Sequence, residues 1–193
     1  MRDYSRFFEP GKLMIQLKII PATANDADSV RSILLEAAQW IHAKGIDQWR
    51  ISEFTKEHVL DNIQDGDVFL AYDGSVPVGA VILRRQPGPF DRQIWGEGAD
   101  DHAAYVHRLA IRTKYHGQGL GGQILGWAED ESVRAGMAYL RLDCMADNEA
   151  LNRYYQRFGF VHQGVHSAGR FSVSRYEKAL SNPAAEHSVL SLA

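Results

Sequence analysis

Cysteine is almost missing from these 193 residues: Cys144 stands alone, so no disulfide can close within the chain. Long hydrophobic runs are missing too. No segment approaches the roughly 18 consecutive apolar residues of a membrane span, and the opening MRDYSRFFEP has no uninterrupted apolar stretch of signal-peptide type. A cytosolic protein with no membrane partner is expected. Nor is there an excess of one charge. Lys and Arg number 21 against 24 Asp and Glu, and the net charge of −3 leaves no basic footprint for nucleic acid. Eight histidines are present, but none lies in an HExxH pattern or beside a cysteine pair. His162 and His166 are four apart in a segment that reads as strand or loop, which separates them by about 13 Å, too far to share one ion. No metal is expected. A single domain of this size buries roughly 70% of its unfolded surface and needs no staple.

What is there is a regular alternation of elements. From Met14, MIQLKIIP alternates apolar and polar residues as a strand does, so the fold is expected to start near Leu13, with residues 1–12 an N-terminal extension. NDADSVRSILLEAAQWIHAKG has Val30, Ile33, Leu34, Ala37, Ala38 and Ile41 at helical spacing, acids in its first turn, and Lys44 and Gly45 at its end. A shorter helix is expected over Thr55 to Ile63. DVFLAYDGSVPVGAVILRR reads as two strands around Asp73-Gly74-Ser75. QPGPFDRQIWGEGADDHA, rich in Gly, Pro and acids, reads as a long loop, after which AAYVHRLAIR resumes the strand pattern. A helix over Gly119 to Ala135, the strand MAYLRLDCM, the helix DNEALNRYYQRFGF and two last strands follow. The tail 181–193 is small and polar.

Between that strand and the next helix lies YHGQGLGGQIL, with four glycines in six positions. Gly117, Gly119 and Gly122 satisfy GxGxxG, and Asp143 follows at a strand end as a dinucleotide fingerprint asks. Yet RTKYH separates Ile111 from Gly117, where a Rossmann turn leaves the strand almost directly. Too little chain follows for further parallel units, and no Gly-Lys-Ser/Thr closes a P-loop. Two readings of the glycines remain: a tight turn with no ligand, or backbone N–H groups at the positive end of a helix that hold a pyrophosphate.

The stretch RLAIRTKYHGQGLGGQIL followed by DNEALNRYYQRFGF resembles the Gcn5-related N-acetyltransferase (GNAT) family. Leu109, Ala110 and Ile111 match the family strand, Gly119 and Gly121 the glycines of its Arg/Gln-x-x-Gly-x-Gly/Ala motif. Asn148, Ala150, Tyr155, Gly159 and Phe160 match a second motif. His116 departs from the family's Arg or Gln, which leaves the backbone cradle but removes a side-chain contact. The resemblance implies a single α/β domain over residues 13–180: a mixed, mostly antiparallel twisted sheet of about seven strands with about four helices.

It also implies an acetyl-CoA-dependent transfer to a primary amine by direct attack, the acceptor being a small molecule or a peptide. Leu109–Ile111 would pair with pantetheine. His116, Gly117, Gln118, Gly119, Leu120, Gly121 and Gly122 would hold the pyrophosphate, and Asn148 would contact the pantetheine arm or serve only as a helix N-cap. Tyr155 would protonate the departing thiolate, unless it is a packed aromatic of the core. His107 stands where some members carry a catalytic glutamate and would be the base, or else a core histidine. Glu97, Asp100 and Asp101 could hold a cationic amine or be a solvated acidic loop, and Cys144 reads as a small buried residue before a nucleophile. Non-catalytic binding of acyl-CoA and Rossmann-type nucleotide binding are the alternatives. The acceptor has no legible code, and a homodimer is left open.

Overall fold

The computed structural model describes residues 15–46 and 48–181; the expected boundary at Leu13, the extension 1–12 and the tail beyond Ser181 lie outside them. Among the described residues, seven strands form one sheet, in the order β1-β2-β3-β4-β5-β7-β6. They are β1 (Lys18–Pro21), β2 (Val68–Asp73), β3 (Val76–Arg84), β4 (Ala103–Ile111), β5 (Tyr139–Met145), β6 (Val161–Ser167) and β7 (Ser172–Ala179). The α-helices of the described residues are α1 (Ala27–Ala43), α2 (Lys56–Gln64), α3 (Pro89–Trp95), α4 (Leu120–Arg134) and α5 (Glu149–Arg157). The β1/β2, β2/β3, β5/β7 and β6/β7 pairs are antiparallel and β4/β5 is parallel, the mixed sheet that the resemblance implies. Contacts divide the chain into two units, one of residues up to 83 together with 107–127, the other of residues 84–106 together with those from 128 onward.

In the first unit α1 forms where the sequence marks both ends. Asp26 accepts from the Thr23 N–H and hydroxyl ahead of the helix, and Gly45, at φ 74°, closes it by donating to the His42 carbonyl. Its apolar stripe, Val30, Ile33, Leu34, Ala37 and Ala38, is buried with Val59 and Ile63 of α2 and Leu70, Ala80 and Ile82 of the β2–β3 hairpin. Thr55 caps α2 through its hydroxyl, which accepts from the His58 N–H at 3.1 Å. Gly79 of β3 is packed so closely that an added Cβ would lie 2.8 Å from Ile111 Cδ1 and 3.1 Å from Ile124 Cδ1. Only glycine lets β3 approach these residues of β4 and α4.

The second unit corrects one expectation. The long stretch before β4 contains α3 and a 3-10 segment over Gly96–Asp100. Proline at the first helical position and Asp91, which accepts from the Gly88 N–H at 2.8 Å, start that helix. The unit's anchor is Arg141 of β5, whose side chain is 4% exposed. Its guanidinium donates to the Gly98 carbonyl at 2.6 Å, to the Tyr105 hydroxyl at 3.1 Å and to Glu177 at 2.7–2.8 Å, and pairs with Asp101 at 3.3 Å. The Trp95 ring lies 4.3 Å from its carbon. A buried cation is tolerated only when its donors are used, and here they tie the segment before β4 to β5 and β7.

Arg141→Met keeps much of the side-chain volume but leaves the half-buried Glu177 carboxylate without its partner. It is expected to cost about 3 kcal/mol, read as a lowered urea midpoint with unchanged slope.

Candidate active site

The glycine-rich turn is built in the first unit from β4 into α4. Gly117 and Gly119 have φ of 73° and 75°, in the left-handed region that favours glycine. Gly122 and Gln123 donate to the Gly119 carbonyl at 3.1 and 3.2 Å. The N–H groups just ahead of them, at the start of α4, precede any intrahelical acceptor. A Cβ on Gly117 would meet nothing within 4 Å, so the turn has open space above it. Leu120 is buried beneath, 1% exposed, and anchors the helix start.

His116 is engaged within the turn itself. Its N–H donates to the Thr113 carbonyl at 3.1 Å, its Nε2 lies 2.9 Å from the Ile111 carbonyl, and its ring stands edge-on to Trp40 at 4.8 Å. Gln118 likewise donates to the Lys114 carbonyl. Neither side chain is needed elsewhere to explain its orientation. The turn is held from outside by a residue the sequence reading passed over: Glu36 of α1. Its carboxylate accepts from the Thr113 N–H and hydroxyl, both at 2.7 Å, and from Arg112 at 2.8 Å. Burial alone would raise the Glu36 pKa, but the hydrogen bonds from Thr113 and Arg112 outweigh it and hold the carboxyl below the usual glutamate range. A lone glutamate on a helix gives no sequence signal, because its partners are more than seventy residues away.

Along β4, the parallel register to β5 pairs Ala103, Ala104 and Tyr105 with Tyr139, Leu140 and Arg141. Ala110 is buried, and His107, Leu109 and Ile111 are half-buried. Between His107 and Leu109 the strand is interrupted by Arg108, whose φ is 51°. A non-glycine residue there carries backbone strain of about 1–3 kcal/mol, and period-two alternation in the sequence gives no hint of it.

In the second unit Asn148 caps α5, its Oδ1 accepting from the Leu151 N–H at 3.1 Å. Tyr155 is buried, with ring centroids of Tyr154, Phe160 and Tyr176 at 5.6, 6.1 and 6.0 Å. Tyr154 is the less buried of the pair. Burial, with Cys144 and Tyr154 nearby, drives the Tyr155 phenol far above its ordinary range, so it stays protonated at any working pH. Burial also pushes the Cys144 thiol up to about 12, with Asp143 adding to it. That is a thiol without nucleophilic thiolate. Asp100 is paired with Arg92 at 2.7 Å and Asp101 with Arg141. Among the described residues no three His, Cys, Asp or Glu gather as a metal site requires.

This strand, glycine turn and helix, followed by the β5–α5 unit, is the architecture of an acetyltransferase. Residues 30–160 match the acetyltransferase (GNAT) family, and the chain belongs to it. The chain is 32% identical over 151 residues to the uncharacterized N-acetyltransferase YesJ of Bacillus subtilis (strain 168), covering 77% of this chain and 84% of that protein. A GNAT-family acetyltransferase structure from Listeria monocytogenes 4b F2365 superposes with a TM-score of 0.75 at 28% identity, over 85% of this chain and 95% of that one. The fold is shared at 16% identity with YncA from Salmonella typhimurium, solved with its cofactor acetyl-CoA, at a TM-score of 0.65 over 86% of this chain and 95% of that one.

The Glu36 clamp has a pH signature. A carboxyl held below its unfolded value stabilises the fold above that value, roughly 4.3, and loses the contribution as pH falls through the folded value. Glu36→Gln is therefore expected to be less stable than the parent at neutral pH. The two should converge below about pH 4 in urea titrations.

Proposed function

We propose that this acetyltransferase carries an acetyl group from acetyl-CoA to a primary amine by direct attack. The glycine turn supports the reading most: Gly117 and Gly119 at positive φ, open space above Gly117, and a 15-residue helix beginning at Leu120. Such a turn suits a pyrophosphate, since bare N–H groups meet the anion at the positive end of the helix dipole. The acetyl-CoA carried by YncA supports the same cosubstrate. When bound, it supplies an activated thioester carbonyl.

Each residue then has a defined task. Gly117 to Gly122 hold the pyrophosphate through backbone N–H groups, with the side chains of His116 and Gln118 shaping the turn. The backbone of Leu109, Ala110 and Ile111 pairs with the pantetheine arm and meets charge developing on the carbonyl oxygen. Asn148 fixes the start of α5 and is the candidate side-chain contact to the pantetheine arm. An alkylamine with a pKa near 10.4 is about one part in a thousand neutral at pH 7, so its proton must be removed, and His107 takes it directly or through water. The amine nitrogen bonds to the carbonyl carbon, the carbon–sulfur bond breaks and the sulfur receives a proton from the Tyr155 hydroxyl; the nitrogen loses its second proton to solvent as the amide forms, and solvent returns one proton to Tyr155. Cys144, the chain's single cysteine, is buried and held as a thiol, which favours direct attack over an acyl-cysteine route.

Gly121→Val tests the cradle without the positive-φ penalty that any substitution at Gly119 would add. It is expected to weaken CoA binding at least about tenfold by calorimetry while the protein stays folded; unchanged affinity would place the cradle elsewhere. For the proton donor, Tyr155→Phe should lower kcat by about tenfold to a thousandfold with CoA affinity nearly intact. Equal turnover would leave Tyr155 a packing residue. For the base, kcat/KM should rise with pH in a limb that His107→Ala removes. A profile of the same shape in both proteins would take His107 out of the mechanism.

A further inference from the structure

The glycine turn is anchored unequally at its two ends. Downstream, Leu120 is 1% exposed, and the Gly122 and Gln123 N–H groups close the first turn of α4 on the Gly119 carbonyl. Upstream, Thr113–Tyr115 form a 3-10 turn with no buried residue, and the exposed His116 follows. That end has no core of its own and is held by α1. Ser32, Glu36 and Trp40 stand four residues apart, in one line along the helix. They meet residues 112–116 in order: Ser32 Oγ accepts from the Arg112 head at 3.3 Å, Glu36 accepts from Arg112 and Thr113 at 2.7–2.8 Å, and the Trp40 ring stands against His116 at 4.8 Å. Arg112 Nε donates to the Pro77 carbonyl at 3.0 Å, so every nitrogen of this guanidinium has an acceptor. Arg108, earlier in β4, is held less completely: its Nη2 donates to Glu53 at 3.0 Å, its carbon lies 4.9 Å from the Phe54 ring centroid, and its buried Nη1 has no hydrogen-bond partner. A neighbouring face of α1, with Ile33, Leu34 and Ala37, is fixed in the core, which makes the helix a rigid brace.

We propose that Glu36 is a positioning residue for acetyl-CoA: by fixing Arg112 and Thr113 it aims the backbone N–H groups of the turn at the pyrophosphate, and so sets cosubstrate affinity without touching the ligand. The inference rests on the acetyl-transfer reading and adds to it a residue outside its motifs. A side-chain donor can swing toward an anion by changing rotamer, whereas a backbone N–H is aimed only by fixing the chain on both sides of it. Gly117 and Gly119 widen the conformations open to the turn, so the aim has to come from its flanks. Thr113 gives a backbone and a side-chain donor to the same carboxylate oxygen, Oε1, which fixes its main chain and its rotamer together. The Thr113 carbonyl in turn accepts from the N–H of His116, the residue before Gly117. A path of hydrogen bonds thus runs from α1 to the first glycine. Without Glu36 the ligand must order the upstream flank itself, and affinity falls by that cost.

Calorimetry with CoA on the full chain, comparing the parent with Glu36→Ala, Glu36→Gln and Ile33→Val, tests the proposal. Glu36→Ala is expected to bind CoA about fivefold to tenfold more weakly. Glu36→Gln should recover part of the loss, since Oε1 can still accept from Thr113. Ile33→Val trims the buried face of the same helix, so it should lower the urea midpoint yet bind CoA as the parent does. In hydrogen exchange without ligand, Glu36→Ala should speed exchange more at residues 113–119 than in β3. Unchanged CoA affinity in Glu36→Ala, an equal loss in Ile33→Val, or exchange raised no more in the turn than in β3 overturns the proposal. Should Glu36→Ala fail to fold, Glu36→Gln carries the same readings. A parent protein that binds no CoA sinks the acetyl-transfer reading and this inference with it, whereas normal binding that is indifferent to Glu36 sinks only the role of Glu36.

Discussion

The buried guanidinium of Arg141 is the constraint around which the second unit is arranged. An arginine taken out of water must find acceptors for its fork of donors, and no single element supplies them. Gly98 and Asp101 come from the segment before β4, Tyr105 from β4 and Glu177 from β7. Satisfying one side chain therefore decides where a stretch rich in glycine and acids can lie. With Trp95 over its face, the guanidinium also orders the end of α3. Ala103–Tyr105, the residues of β4 that pair with β5, follow directly.

The first unit applies the same logic to the glycine turn. Glycines make the turn reachable, but flexibility alone would leave it in many conformations. Glu36 reduces that freedom by accepting three hydrogen bonds from Arg112 and Thr113, and His116 closes on the carbonyl of Ile111. Order arranged before a ligand arrives does not have to be supplied by ligand binding, and this is why a clamp outside the turn matters to a site made of backbone.

Much of the fold was legible because it rests on local rules. The stripe of α1, the short helix beginning at Thr55, the turn at Gly74 and the capping alternative for Asn148 follow from periodicity and short-range hydrogen bonding, and the structure has each of them, with Thr55 as the cap of α2 and not its first residue. The helix α3 was missed despite a proline at its first position and Asp91 two residues later, because glycine, proline and acids around it carry the stronger signature of a loop. Arg108 and Glu36 were missed for a different reason. Their roles depend on partners 55 and more than seventy residues away, and nothing in the neighbouring sequence encodes that distance.

By itself the sequence determined the order of the strands and of the helices other than α3, the glycine turn at the head of α4 and membership of a family whose motifs are short and continuous. These are properties of neighbouring residues, set by backbone conformational preference and helix periodicity. Tertiary structure alone decided which side chains are held rigid: that Tyr155 lies deeper than Tyr154, that Asp101 is bound to Arg141, and that Arg108 is bent from its strand with one donor left over. Burial and pairing are set by residues far apart in the chain, and so is the free energy of every charge they enclose.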